Sequence, residues 1–499
     1  MYNKKYPKMK NLKLVFSILI IIHGFNTFAQ TPSIEWQKCF GGSNYDNGYS
    51  IIQTSNNGYI AVGYTQSNDY DAINNHSLNV DAFIVKLSAN DSTEWIRCYG
   101  GSNGDFYNSV IGTPDNCFLL SGITSSNNGD VTNNHGNTDG WIVKIDSSGE
   151  IIWQKCYGGS GVDVLSKIIN TYDGGFICKG YSKSNDGDVV NPSLDKRGWV
   201  LKLDSLGNIL WSKCYGDSIE NYFHDIAQTN DGGYILSGKK ILNGFNQGKI
   251  WIVKLNEIGE VDWQIEYGTI YDDIHSIKPL HDGSYIGVGT IVDTNSGFDY
   301  GYVIKLNNIG TLEWTQGLGD GFSGNVLNSI EVISDSCFVM GGTGINQFNC
   351  TDFWFIKMKN NGQIIWEQFY GDLHYEDLNS FQHTTDLGFV LIGSTSSEWP
   401  GYHGDYDLWI VKLSAEMGIT ETSQNINFQI YPNPAQDNLT VKVDPALLNQ
   451  PFQIFSISGQ LVLSGKLTSE NSEIHLNSIS EGVYLLQIGN QSKKIVKIK

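Results

Sequence analysis

Along residues 34–413 apolar and polar positions alternate in short runs, and four such runs recur as a set, separated by clusters of Asn, Asp, Ser and Gly. In the first set they read IEWQKCFGG, YSIIQT, GYIAVGYT and DAFIVKLS. Period-two alternation bounded by turn residues predicts strands. The first run of each set carries a tryptophan: Trp36, Trp95, Trp153, Trp211, Trp263, Trp314 and Trp366, at separations of 59, 58, 58, 52, 51 and 52 residues. The third run sets an aromatic four residues before a glycine, from Tyr59/Gly63 to Phe389/Gly393. A glycine at one fixed place in a strand marks close backbone approach or a bend. The fourth run sets an aromatic three residues before a lysine, from Phe83/Lys86 to Trp409/Lys412.

Seven copies of a four-stranded meander predict an all-β chain built around a seven-bladed β-propeller, whose radial closure leaves only short sheet edges. The joints NNG, DGG, DSSGE, DSLGN and NEIGE supply the residues that tight turns need. The chain enters on a tryptophan run, and the seventh copy stops after residues 407–413 without one. The first strand is therefore expected to complete the last blade as its outermost strand. In that frame the YSIIQT runs line a central channel.

The ends add two segments. Residues 1–29 carry lysines, then LVFSILIII, then Thr27-Phe28-Ala29, the pattern of a signal peptide cleaved between Ala29 and Gln30. That apolar run is too short to span a bilayer, and no transmembrane segment is expected. Residues 30–416 are assigned to the propeller, 417–426 to a linker and 427–499 to a C-terminal domain. Removing the leader loses five lysines and no acid, which takes the formal charge from −20 to −25. Such acidity argues against nucleic acid, which demands basic patches. Cys39, Cys98, Cys156 and Cys214 each follow a repeat tryptophan by three residues. Equivalent places in neighbouring blades are too far apart for disulfides, so most of the eight cysteines read as packing residues. A Cys98–Cys117 bridge stays open.

The C-terminal runs INFQIYPNPAQDNLTVKV, PFQIFSISGQLVLSGKL and SEIHLNSISEGVYLLQIG predict a small Ig-like β-sandwich. Tyr431-Pro432-Asn433-Pro434, the Ser458-Gly459-Gln460 turn, Gly482-Val483-Tyr484 and the final lysines follow in an order that resembles the type A sorting domain of the Bacteroidota type IX secretion system. The resemblance implies Sec export, recognition by the outer-membrane translocon, and release or attachment at the cell surface. It makes Pro432, Asn433, Pro434, Gly459, Gly482, Tyr484, Lys494 and Lys497 the sorting signal. The DxxGxxxW pattern, as in Asp146 to Trp153, is similar to repeats of quinoprotein-like propellers. Their eight blades and adjacent-cysteine ring are missing here, so that likeness implies a scaffold only.

Three sets of residues are candidates for chemistry. Asp46, Asp105, Asp163, Asn221, Asp272, Asn325 and Glu376 hold one repeat position and are expected to ring the mouth of the channel. Turn capping by their side chains is the competing reading. Loops of the first three copies share a Ser-Asn-Asp/Asn-x-Asp pattern that includes Asp69, Asp71, Asp130, Asp186 and Asp188. These oxygens suit Ca²⁺, the one candidate cofactor, although the bidentate Glu of an EF-hand is missing. The seventh copy's loop holds Trp399, Tyr402 and Tyr406, and Trp399 is the one tryptophan of thirteen outside the repeat, so this loop is the candidate platform for a glycan or a surface protein. Gly100-Gly101-Ser102-Asn103-Gly104 has the form of a nucleophile elbow but repeats as an inter-blade turn. No histidine spacing suits zinc. The chain thus reads as an exported binding or interaction module rather than an enzyme. An extracellular polysaccharide hydrolase or lyase using the acidic mouth is the alternative.

Overall fold

The computed structural model describes residues 31–499 except 77–79, 192–194, 243–247, 270, 294–296, 320–323, 335, 347–349, 417–427, 444–450, 457–460, 470, 489–490 and 499. The chain divides into two compact units, one of residues 30–418 and one from residue 419 on.

The first unit is a seven-bladed propeller of four-stranded antiparallel sheets. Blade 1 is Asp46–Gln53, Tyr59–Thr65, Asp81–Leu87 and Thr93–Tyr99, from the innermost strand outward. Blades 2 to 6 repeat that order in the chain. Blade 7 consists of Glu376–His383, Phe389–Thr395 and Asp407–Leu413, with Ile34–Phe40 as its outer strand. Trp36 faces Lys412 and Cys39 faces Trp409 in this closing pair, as the phase of the repeat predicts.

Hydrophobic cores lie between blades. Ile60, Val62 and Ile84 of blade 1 pack with Tyr107, Leu120, Trp141 and Val143 of blade 2, and equivalent clusters follow around the ring. Trp141, Trp199, Trp251, Trp354 and Trp409, five of the seven aromatics of the fourth run, are 0–1% exposed. Each buries ~200 Å², worth up to about 5 kcal/mol. The tryptophans that mark the period act differently. Trp95 Nε1 donates to Ser147 O of the next blade at 3.1 Å, and a Cβ at Gly149 would meet its ring at 3.2 Å. Tyr157 and Tyr215 donate to Gly207 O and Gly259 O at 2.6 and 2.7 Å, so outer strands clamp the glycine turns of their neighbours.

The fixed glycine of the second strand answers a bulge. Every inner strand shifts register at one equivalent place, between Gly48 and Ser50, Tyr107 and Ser109, and so on to Leu378 and Ser380, and that of blade 6 shifts again between Val332 and Ser334. A Cβ at Gly63, Gly122 or Gly180 would overlap a backbone carbonyl oxygen of the inner strand, that of Asn47, Phe106 or Val164. The repeat lysine is buried in five of the seven blades, and in blades 3 and 4 it anchors the tight hairpin: Lys202 Nζ lies 2.9 Å from Asp173 and Lys254 Nζ 2.9 Å from Asp231.

The C-terminal unit pairs a sheet of Gln429–Tyr431, Asn438–Lys442 and Asn471–His475 with one of Leu461–Lys466, Pro451–Ser456, Gly482–Ile488 and Gln491–Lys497. Leu439, Val441, Ile454, Ile474, Leu486 and Ile495 fill the space between them, giving the predicted sandwich. Asn433 Oδ1 accepts from Val496 N at 2.9 Å, and Lys497 Nζ donates to Asp437 at 3.2 Å, so the Pro432-Asn433-Pro434 segment is tied to the last strand. Tyr484 is buried, with its hydroxyl donating to Ser480 O at 2.8 Å. Gly482 opens its strand and Lys494 pairs with Leu485. Gly459, the linker, and Ala29 with Gln30 lie outside the described residues.

Candidate functional site

The acids expected at the channel mouth turn sideways into the seams between blades. Asp46, Asp105, Asp163 and Glu376 are 0% exposed and Asp272 is 2% exposed. Asp46 Oδ2 accepts from Gly42 N at 2.7 Å and Ser67 Oγ at 2.9 Å; Asp105 and Asp163 take the same two bonds in their blades. Asp272 accepts from Thr269 N at 2.6 Å, and Glu376 from Thr395 Oγ1 at 2.9 Å.

Across the seam stands an acid of the preceding blade's third strand. Gly158 shows the geometry: Asp139 Oδ1 and Asp163 Oδ2 each lie 2.7 Å from where its Cβ would be, which places the two oxygens within about 5.4 Å of each other. Asp407 with Asp46 at Gly41, and Asp352 with Glu376 at Gly371, close in the same way, and Asp81 feels the charge of Asp105. Asp139 Oδ1 and Asp407 Oδ1 are buried without a hydrogen-bond partner. Burial, and then Asp46, Asp71 and Asp69, push Asp407 up to about 8 against the His403 amide bond. Burial pushes Glu376 up to about 7.

The loop residues read as calcium ligands accept backbone amides. Asp69 Oδ1 takes Ser43 N at 2.8 Å and Asp186 Oδ1 takes Ser160 N at 2.7 Å. Asp130 and Asp188 take Gly100 N and Gly158 N at 3.1 and 3.2 Å, while Asp71 N donates to Gly41 O at 3.1 Å. These loops thus lock onto the Gly-Gly-Ser turns, Ser102 included. Among the described residues no group of three or more His, Cys, Asp and Glu side chains is arranged to hold a metal ion. All eight cysteines are free.

Trp399 folds down, its ring stacked 5.9 Å from that of Trp409 with the planes 3° apart. Tyr402 donates to Asp405 O at 3.2 Å. Tyr406 instead joins a run of rings that the sequence did not reveal. It lies 4.9 Å from Tyr45, Tyr45 lies 6.1 Å from Tyr64, and Tyr64 lies 5.7 Å from Tyr49 and 6.2 Å from Phe106. All five rings are half-buried. Further round the mouth, Lys196 Nζ sits 4.1 and 4.4 Å from the Tyr181 and Tyr222 rings.

Below this rim, the bulge brings two successive residues of every inner strand to the channel. They enclose a cavity of about 170 Å³, lined by residues from Tyr49 and Ser50 in blade 1 to Asn379 and Ser380 in blade 7. At the second of the two positions five blades carry serine, but blades 3 and 4 carry Lys167 and Asp225. Lys167 Nζ donates to Asp225 Oδ1, and Lys278 Nζ donates to Oδ2 at 3.0 Å. Ser276 Oγ and Ile277 N also donate to Oδ2, at 2.7 and 2.9 Å. Burial opposes its charge, yet Lys167 and Lys278 hold the Asp225 carboxyl far below the usual range. Beside it, His224 Nε2 meets Asp273 Oδ2 at 2.9 Å, and the His224 and His275 rings are 5.4 Å apart. Against its burial, His224 and then His275 and Lys239 hold Asp273 down at about 2. Burial pushes Lys179, bonded to Ser166 Oγ at 2.9 Å, down to about 7. The readable signal for this wall was the departure from serine in two adjacent copies.

Residues 429–498 match the family of secretion system C-terminal sorting domains. The protein is exported through the type IX secretion system to the cell surface or the extracellular space. No helix among the described residues is long and apolar enough to cross a membrane. The chain is similar to Beta-agarase A of Zobellia galactanivorans, with 24% identity over 145 residues, 28% of this chain and 25% of that protein. It is similar to the Funoran endo-beta-hydrolase of Wenyingzhuangia aestuarii, with 35% identity over 71 residues, 14% of this chain and 10% of that protein. The chain thus spans a quarter or less of the length of these relatives. The solved structure of PorZ, described as an essential bacterial surface component of the type IX secretion system of Porphyromonas gingivalis, aligns with 92% of this chain and 60% of its own, at 11% identity and a TM-score of 0.42.

Proposed function

We propose that this type IX-exported propeller is an extracellular binding module that takes a polysaccharide at the tyrosine rim of its central channel. The observation that carries the reading is the run Tyr406, Tyr45, Tyr64 and Tyr49 with Phe106, half-buried rings in contact with one another, Tyr45 stacked on Tyr64 and the other pairs tilted. A phenol offers a flat apolar face to sugar C–H groups and a hydroxyl at its edge, and its two side-chain torsions make it cheap to order. The relatives that bear the names of an agarase and a funoran hydrolase favour a polysaccharide as the ligand.

The hydrolase alternative draws on Glu376 and Asp407, which keep protons near neutral pH as a general acid does. A catalytic carboxyl must touch the glycosidic oxygen. Both side chains are 0% exposed inside seams, which favours binding over hydrolysis there.

The test is a glycan array with the exported chain and two variants. Tyr64→Ala is expected to weaken binding at least tenfold, and Trp399→Ala, altered away from the rim, to bind as the wild type does. Equal binding by wild type and Tyr64→Ala, or no glycan bound by the wild type, would overturn the reading.

A further inference from the structure

The channel floor differs in charge from everything around it. The propeller carries a formal charge of −25, yet its cavity of about 170 Å³ presents nine hydroxyl and amide side chains, two histidines, one lysine, one tyrosine and a single carboxylate. That carboxylate, Asp225, is saturated. Its two oxygens accept from Lys167, Lys278, Ser276 Oγ and the amides of Ile226 and Ile277, and its side chain is 1% exposed. Lys167 and Lys278 both bond this carboxylate, and their charges also reach the buried Glu331. Lys167, 30% exposed into the channel, donates one hydrogen bond to Asp225, which leaves N–H donors for a guest.

The other charged groups nearby have partners of their own. Asp273 is matched by His224 and by Lys239, 3.6 Å away. Burial pushes the Glu331 carboxyl up, against the bond it accepts from His383 N at 2.9 Å and the charges of Lys278 and Lys167. Lys179 adds a third amine behind Ser166. Ser50, Ser109, Asn108, Asn328 and Asn379 add uncharged polar side chains to the lining. In other blades serine alone staples the seam, as where Val110 N donates to Ser50 Oγ at 3.3 Å.

We propose that this cavity binds an oxyanion, the sulfate or carboxylate substituent of a polysaccharide whose sugar rings rest on the tyrosine rim. The inference rests on the rim reading for the identity of the carrier. The cavity holds one such group, and Lys167, His224 and the serine hydroxyls supply charge-assisted hydrogen bonds to it. The acidic exterior repels polyanions, so a bound one reports on the channel rather than on loose surface attraction.

The experiment is calorimetry at constant ionic strength with dextran, dextran sulfate, polygalacturonate and sodium sulfate. The proteins are wild type, Lys167→Ser and Tyr64→Ala. Serine holds the position in five other blades, so Lys167→Ser keeps the repeat's own residue and is expected to fold. At least one polyanion should bind the wild type tenfold or more tightly than dextran, and its identity separates a sulfate guest from a carboxylate one. Lys167→Ser should erase that excess and the binding of free sulfate. An unchanged excess in Lys167→Ser, or dextran bound as tightly as either polyanion, overturns the proposal even where rim binding survives. Sulfate binding lost in Lys167→Ser while Tyr64→Ala binds every polymer normally supports the anion pocket and sinks the rim.

Discussion

Replacing Asp407 by Asn should flatten the dependence of stability on pH. In the folded chain this carboxyl keeps its proton up to about 8, whereas an unfolded Asp releases it near ~3.9. Folding therefore takes up a proton. The stabilisation is fully present below the unfolded value and is lost as pH rises through 8. At about 1.4 kcal/mol per pH unit, wild type loses about 3 kcal/mol between pH 6 and pH 9 through this group. Relaxation of the seam and entry of water bring the expectation to about 1–3 kcal/mol. For roughly 390 residues, with about 2 cal/mol/K of unfolding entropy each, that is a fall of about 1–4 °C in Tm. Asn keeps an oxygen for the His403 amide, which donates at 2.7 Å, and presents an NH₂ where Asp407 Oδ1 now faces Asp46. Asp407→Asn should match wild type at pH 6 and exceed it at pH 9. Urea melts at both pH values measure this, and identical slopes for the two proteins would refute the seam argument.

Two further outcomes follow from the same geometry. Gly122→Ala drives a Cβ into Phe106 O and must push the bulged inner strand aside, so a loss of about 3 kcal/mol or more is expected in thermal melts; wild-type stability would mean the bulge is pliable. Deleting residues 427–499 removes the sorting domain and should hold the propeller in the periplasm, read by surface labelling of intact cells; surface display of the truncated chain would contradict the assignment.

Blade number and ring closure were legible because they depend on spacing and phase, which a repeat displays directly. The channel was not, since its lining turns on a bulge that breaks period-two alternation. By strict alternation His224 and Asp225 belong to opposite faces, whereas the register shift between Phe223 and Asp225 brings both to the cavity. The acids from Asp46 to Glu376 were visible as a ring, but not their direction, because an acid that caps a turn and one that meets solvent look alike in a string of letters. Trp399 stood outside the repeat and so looked free to bind. What it meets is Trp409, a repeat residue whose flat face offers more buried area than solvent can.

The closing strand has a consequence for the order of events during export. Ser33 N donates to Ser414 Oγ at 3.0 Å between residues 381 positions apart. The entropy of joining such distant segments grows only as about (3/2)RT ln n, so length itself is a small obstacle. Timing is the real constraint, since this clasp has no partner until the last blade has been made, and the sorting domain is translated only after that. A translocon that reads the tail therefore meets only chains that already hold every strand of the ring, and the export signal doubles as a mark that the cargo is able to close.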